Sequence, residues 1–120
     1  MTPKDPAPGE AFLYLYRLHP GAGLEYDRRH REVWPSILAL LNKTGIFDYQ
    51  IWRHGEILVC RMRTRRGWAT AQALLKASEV QRKWSHSLVG LFDSVADESG
   101  EPLWLNEVFR WGVDEDEERE

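Results

Sequence analysis

The stretch IFDYQIWRHGEILVCRMR, residues 46–63, decides the fold. Its first half alternates, with Tyr49 and Ile51 on one face and Gln50 and Trp52 on the other, as a half-buried strand does. HGE then turns the chain, and EILVCRMR (56–63) reads as the partner strand, so the stretch predicts a β-hairpin. Gly45, just before it, has the position of a helix C-terminal cap. Upstream, Tyr26, His30, Val33, Trp34, Ile37, Leu40 and Leu41 step by three or four, while Asp27, Arg28, Arg31 and Glu32 fall on the opposite side. That is an amphipathic helix, with a kink or restart expected at Pro35, which has no N–H to donate and disfavours helical backbone at Trp34. Further upstream, AFLYLYRL (11–18) reads as a strand closed by the turn HPGAG. Downstream, two helical stretches are predicted over 65–77 and 79–92. Trp68, Ala71, Leu74 and Leu75 form one inward stripe, and Val80, Trp84, Leu88 and Leu91 the other. A polar loop, DSVADESGEP (93–102), leads to a last strand, LWLNEVFRW (103–111). The order β-α-β-β-α-β predicts an α+β protein of ferredoxin-like type, an antiparallel sheet with helices on one face.

Composition bounds the function. With 120 residues, 42% of them hydrophobic, the chain can bury one core. The expected organisation is a flexible leader (1–10), one domain (11–112) and an acidic, solvated tail (113–120). No apolar run reaches the roughly 18 residues needed to span a bilayer, and MTPKDPAPGE does not read as a signal peptide, so a cytoplasmic protein without a membrane partner is expected. A formal net charge of −3 argues against a nucleic-acid surface. The strand 56–63 also lacks the aromatics that single-strand RNA modules of this topology present. The lone Cys60, within ILVC, excludes an intramolecular disulfide and reads as a small buried thiol. His19, His30, His54 and His86 have neither an HExxH spacing nor cysteine neighbours, so no metal is expected. Arg28, Arg29 and Arg31 alternate with Glu25, Asp27 and Glu32 as on a solvated helix face with compensating pairs.

The inward stripe carries one polar pair. Tyr26 and His30 stand i, i+4, one above the other on a single helix face. Such a pair fits a core in which the ring nitrogens bond backbone and the tyrosine packs its ring. Periodicity alone favours that reading; the other is a proton-transfer site, because an imidazole of ordinary pKa ~6.5 works as acid or base near neutrality while a tyrosine of ~10 donates a hydrogen bond. The aromatic load bears on the choice. Tyr49, Trp52, Trp68, Trp84, Trp104 and Trp111 can each pack a core, but aromatic rings also stack on the apolar face of a sugar while neighbouring polar groups bind its hydroxyls.

EYDRRHREVWPSILALL (25–41), the strand Asp48–Ile51, SEVQRKWSHSL (78–88) and LNEVF (105–109) together resemble the L-rhamnose mutarotase family, over roughly residues 11–109. EYxxRHxxxWP is the most specific of these motifs. The resemblance implies a ferredoxin-like subunit that pairs into a dimeric α+β barrel. It also implies a cofactor-free isomerase interconverting the α and β anomers of a 6-deoxy monosaccharide such as L-rhamnose or L-fucose. By the same resemblance Tyr26 and His30 are the catalytic residues, and Tyr49 and Trp84 line the sugar pocket. One position departs from it, since Trp84 is followed by Ser85 where enteric-type members carry a second tryptophan. The alternatives are another activity of such barrels, monooxygenase-like or haem-degrading, or a non-catalytic sugar-binding module. A homodimer is also expected on physical grounds, because one face of the sheet lacks helices and Tyr14, Tyr16, Trp52 and Trp104 supply aromatics to cover.

Overall fold

The computed structural model describes residues 6–112. The chain runs β1 (Phe12–Leu18), α1 (Gly23–Arg31), α2 (Pro35–Thr44), β2 (Ile46–His54), β3 (Ile57–Thr64), α3 (Trp68–Lys76) and α4 (Glu79–Leu88). A 3₁₀ turn, β4 (Phe92–Ser94) and β5 (Leu103–Leu105) complete it. The sheet is antiparallel with order β2-β3-β1-β4, and β5 pairs with the same β1 edge as β4. This is the strand order of the ferredoxin-like arrangement, so the expected α+β fold is present.

The hairpin forms as read, with one irregularity: the β2–β3 register shifts between Phe47 and Gln50, where Asp48 takes a left-handed φ of 51°. Arg61 and Arg63 pair with the Asp48 carboxylate across this bulge. Pro35 restarts the helix as expected. It occupies the first turn of α2, with Trp34 extended at the N-cap (ψ 135°) and Gly45 closing the helix at φ 86°.

Three boundaries differ from the sequence reading. The helix expected over 79–92 stops at Leu88, and Phe92 begins a strand instead. The strand expected over 103–111 is three residues long. Its role on the β1 edge is divided: β4 pairs with Arg17 and Leu18, β5 with Leu13 to Leu15, and residues 95–102 loop out between them. Asp97 ties that loop by accepting from the Ser99 and Glu101 amides. Beyond Leu105 the chain is irregular and exposed to Gly112. Residues 6–10 of the expected leader pack on the domain rather than stand free of it. Pro6 is buried, Gly9 N–H donates to the Thr64 carbonyl and Arg63 Nε to the Gly9 carbonyl. The acidic tail, 113–120, lies outside the described residues.

Alternation fixes the two faces of the sheet. Phe12, Tyr14, Leu18, Leu58, Cys60 and Met62 are buried under the helices, packed with Ala71, Trp68, Leu41 and Leu75. The cross-strand row Trp104–Tyr14–Cys60–Ile51 belongs to this covered face, as does Tyr16, which is opposite Leu58. Tyr14, Tyr16 and Trp104 therefore do not point to the open face, contrary to expectation; the period of two along β1 and β5 turns them inward. The open face carries the rows Leu103–Leu15–Val59–Trp52 and Leu105–Leu13–Arg61–Gln50.

Candidate active site

The covered face and the helices do not close on one another everywhere. A cavity of about 380 Å³ remains between β1, β2, α1, α4 and β4. Tyr16, Tyr26, His30, Tyr49, Trp84 and Phe92 form much of its wall, with Gln81, Ser85, Asp93 and Ser94 as further polar groups. The four residues singled out in the sequence (Tyr26, His30, Tyr49 and Trp84) are thus brought together from three elements.

His30 is held from several sides. Its ring stacks on that of Tyr26, with centroids 4.0 Å apart and planes 24° from parallel, and meets Trp84 edge-on at 5.7 Å. Trp84 in turn meets Trp34 edge-on at 5.0 Å, which ties the later helix to the restart at Pro35. His30 Nδ1 lies 3.0 Å from the Tyr26 carbonyl oxygen. A carbonyl can only accept, so Nδ1 carries the proton and the neutral ring keeps Nε2 bare, as a base. Burial lowers the His30 pKa below its ordinary 6.5, opposed by the bond to the Tyr26 carbonyl and by the charge of Asp27. The imidazole is neutral at neutral pH.

The tyrosines behave in the opposite way. Tyr16, Tyr26 and Tyr49 line the cavity, and the hydroxyl of Tyr14 lies 3.4 Å from that of Tyr49. Burial raises every one: Tyr14 well above its ordinary value, Tyr16 to about 12, and Tyr26 and Tyr49 further. At neutral pH they rest protonated and can donate. Among the described residues the bond between Tyr26 and His30 runs through the Tyr26 backbone, and their side chains stack instead of sharing a proton. Cys60, fully buried beneath this cluster, has its thiol pushed up to about 12 by burial, as befits an inert core thiol.

The sequence reading missed Tyr16, Phe92 and Asp93. Tyr16 carried a signal, because the alternation that buries Tyr14 also turns Tyr16 inward. Phe92 and Asp93 carried none, since a three-residue strand entered from a 3₁₀ turn has no period to detect. Ser85, the position that departs from the resemblance, does line the cavity, and its hydroxyl accepts from Gln81 Nε2 at 3.1 Å.

A ferredoxin-like α+β domain with a bare imidazole nitrogen and neutral phenols in an aromatic-walled cavity defines a class: a protein equipped for acid–base chemistry on a small polyhydroxylated molecule. The chain belongs to the L-rhamnose mutarotase family, whose model matches residues 12–111. It is 33% identical to an L-rhamnose mutarotase of Brucella anthropi, over 84% of this chain and 95% of that protein. It is 35% identical to one of Bacteroides thetaiotaomicron, over 83% and 94%. Among solved structures it resembles the L-rhamnose mutarotase FA22100 of Formosa agariphila, with a TM-score of 0.67, 21% identity, and coverage of 86% of this chain and 99% of that one. Membership makes the chain an isomerase acting on carbohydrates, and favours that reading over the monooxygenase-like and non-catalytic alternatives.

Proposed function

We propose that the chain interconverts the α and β anomers of a 6-deoxy sugar, L-rhamnose first, by acid/base opening and closure of the ring in this cavity. The observation that carries the reading is the fixed tautomer of His30, which leaves one basic nitrogen among neutral phenols. Nε2 takes the proton of the anomeric hydroxyl as the C1–O5 bond breaks and C1 becomes an aldehyde carbon. The ring oxygen receives a proton through a neutral donor, the role given to Tyr26. Rotation about C1–C2 then presents the other carbonyl face, and closure reverses each transfer, so no net proton is consumed. Tyr49 and Trp84 line the sugar's position. Leu88, Val89 and Phe92 provide an apolar wall suited to the C6 methyl, and Gln81, Ser85 and Asp93 polar partners for hydroxyls. A volume of about 380 Å³ falls in the range of small-molecule sites, ~300–1,000 Å³. Saturation-transfer NMR over L-rhamnose, L-fucose and related sugars tests the reading; bound sugar without accelerated anomer exchange would overturn it.

The family reading also carries a homodimer, formed on the open sheet face. Leu13, Leu15, Val59, Leu103 and the half-exposed Trp52 lie there side by side. The irregular arm after β5 separately exposes Val108, Phe109 and Trp111, each by more than three-quarters in the single chain. A contiguous apolar surface of this kind marks an association site.

A further inference from the structure

α1 carries both proposed catalytic side chains, yet little holds it by burial: of its nine residues Gly23 and Tyr26 are buried, and no side chain caps its first turn. A helix this short does not define its own position, which must come from tertiary contacts. One such contact is a fork. Arg53 Nε donates to Asp27 Oδ1 at 2.7 Å and Nη2 to Oδ2 at 2.6 Å, while Nη1 donates to the Gly55 carbonyl at 2.8 Å. Arg53 lies opposite Leu58, on the row that faces the helices, where β2 otherwise places Tyr49 and Ile51. A cation is out of place on that row unless something on α1 receives it. Gly23 leaves the room: a Cβ there would collide with the Arg53 guanidinium. Asp27 is next in sequence to Tyr26 and one turn from His30. A second cleft shares Tyr26 and His30 with the cavity and is bounded also by Asp27, Arg31 and Arg53.

We propose that the Asp27–Arg53 fork is the positioning device of the active site: it pins α1 to the end of the β2–β3 hairpin, and so fixes where His30 presents Nε2 to the cavity. Neither residue touches the sugar in this scheme; both act through His30. A planar bidentate pair fixes distance and orientation together, which a lysine in place of Arg53 cannot do. Asp27 also supplies the negative charge that acts on the imidazole. Around His30 the titratable and charged groups are Asp27, Arg31 and Tyr26 on its own helix, Arg53 and Tyr49 on β2, and Tyr16 and Asp93 across the cavity. α4 presents Trp84, Gln81 and Ser85, which do not titrate.

The inference rests on the acid–base role proposed for His30, and its test reads His30 both with and without turnover. Arg53→Lys keeps the charge and loses the fork; Asp27→Asn keeps the shape and loses the charge. Arg53→Lys is expected to lower kcat for anomer exchange by ~10-fold or more with KM within about twofold, since a misplaced base costs rate rather than binding. Asp27→Asn is expected to move the acid limb of the rate profile to lower pH. In the unliganded proteins, ¹⁵N imidazole spectra should show a lower His30 titration midpoint in Asp27→Asn, and in Arg53→Lys a mixture of tautomers where the parent has Nδ1–H. Both variants retaining the parent tautomer and midpoint would overturn the inference whatever the turnover. If the parent protein does not exchange anomers the function proposal fails, and the spectra still decide this one. Should Asp27→Asn not fold, Arg53→Lys decides it.

Discussion

At the scale of residues the site reduces to one nitrogen and what keeps it bare. The Tyr26 carbonyl fixes the proton on Nδ1, burial keeps the ring neutral, and the phenols around it stay protonated. His30→Asn preserves a polar side chain of similar shape and removes the base. Anomer exchange should then fall by roughly 10² to 10⁴ with folding retained, whereas a variant exchanging at the parent rate would mean that His30 is a core residue. Tyr26→Phe should slow exchange less, and less than additively with His30→Asn, because in the proposed mechanism the two act on one substrate as a unit. The pH dependence has a definite sign. With the folded pKa below 6.5, the unfolded chain binds more protons than the native one between the two values, so stability rises with pH across that window. The contribution is complete above 6.5 and is lost as pH falls through the folded value; exchange, which in the proposed mechanism needs the neutral imidazole, should lose its rate over the same fall. Melting curves and exchange rates from pH 5 to 8 check both, and His30→Asn should flatten the first. Ser85 gives a further test. A tryptophan at this cavity-lining position should tighten L-rhamnose binding by ~1 kcal/mol if its ring stacks on the sugar; unchanged affinity would remove position 85 from the contact surface.

At the scale of elements, helix ends decide where these side chains stand. Gly45 closes α2 in the left-handed region and hands the chain directly to β2, its carbonyl accepting from Arg65 N–H at 2.8 Å. Gly45→Ala should cost about 1–2 kcal/mol, since the added Cβ meets ordinary contacts while the backbone conformation is strained. Urea denaturation with an unchanged m-value is the check; a neutral substitution would show that the φ of 86° is not obligatory. The same features explain what could be read from the sequence. Gly45, Pro35 and the HGE turn are punctuation with a steric cause, and between such marks the periods of 3.6 and 2 are long enough to count. Tyr26, His30 and Trp84 therefore fall on the inward faces that their spacing predicts. Where elements shorten to three residues, at β4 and β5, no period exists, and an apolar run such as LWLNEVFRW reads as one strand although it leaves the sheet after Leu105. Arg53 failed for another reason: a charge on an inward row makes sense once its partner Asp27, 26 residues earlier, is known.

At the scale of the whole molecule, the sheet has one covered face and one that a single chain leaves to water. The expectation of an open aromatic face was right about the face and wrong about most of its residues, because Tyr14, Tyr16 and Trp104 serve the covered side. The apolar part of the open face is aliphatic, Leu13, Leu15, Ile57 and Val59, with Trp52 at one edge and Leu103 and Leu105 at the other, and it borders the polar Arg17, Arg61 and Gln50. Val59 sits at the middle, on central strand β3 between Leu15 and Trp52. Its side chain lines neither the cavity nor the second cleft. In a two-fold dimer built on this face a residue near the axis lies close to its own copy, so Val59→Asp would bring two carboxylates together in a surface that has lost its water. Sedimentation at micromolar concentration should give a dimer for the parent and a shift toward 14.0 kDa for the variant, with a dissociation constant raised ~100-fold or more. The isolated variant should keep its melting transition, since the introduced carboxylate would then be solvated on an open face. A parent protein that sediments only as the 14.0 kDa species would dispose of the dimer, and a variant that dimerises as the parent does would move the interface off this face.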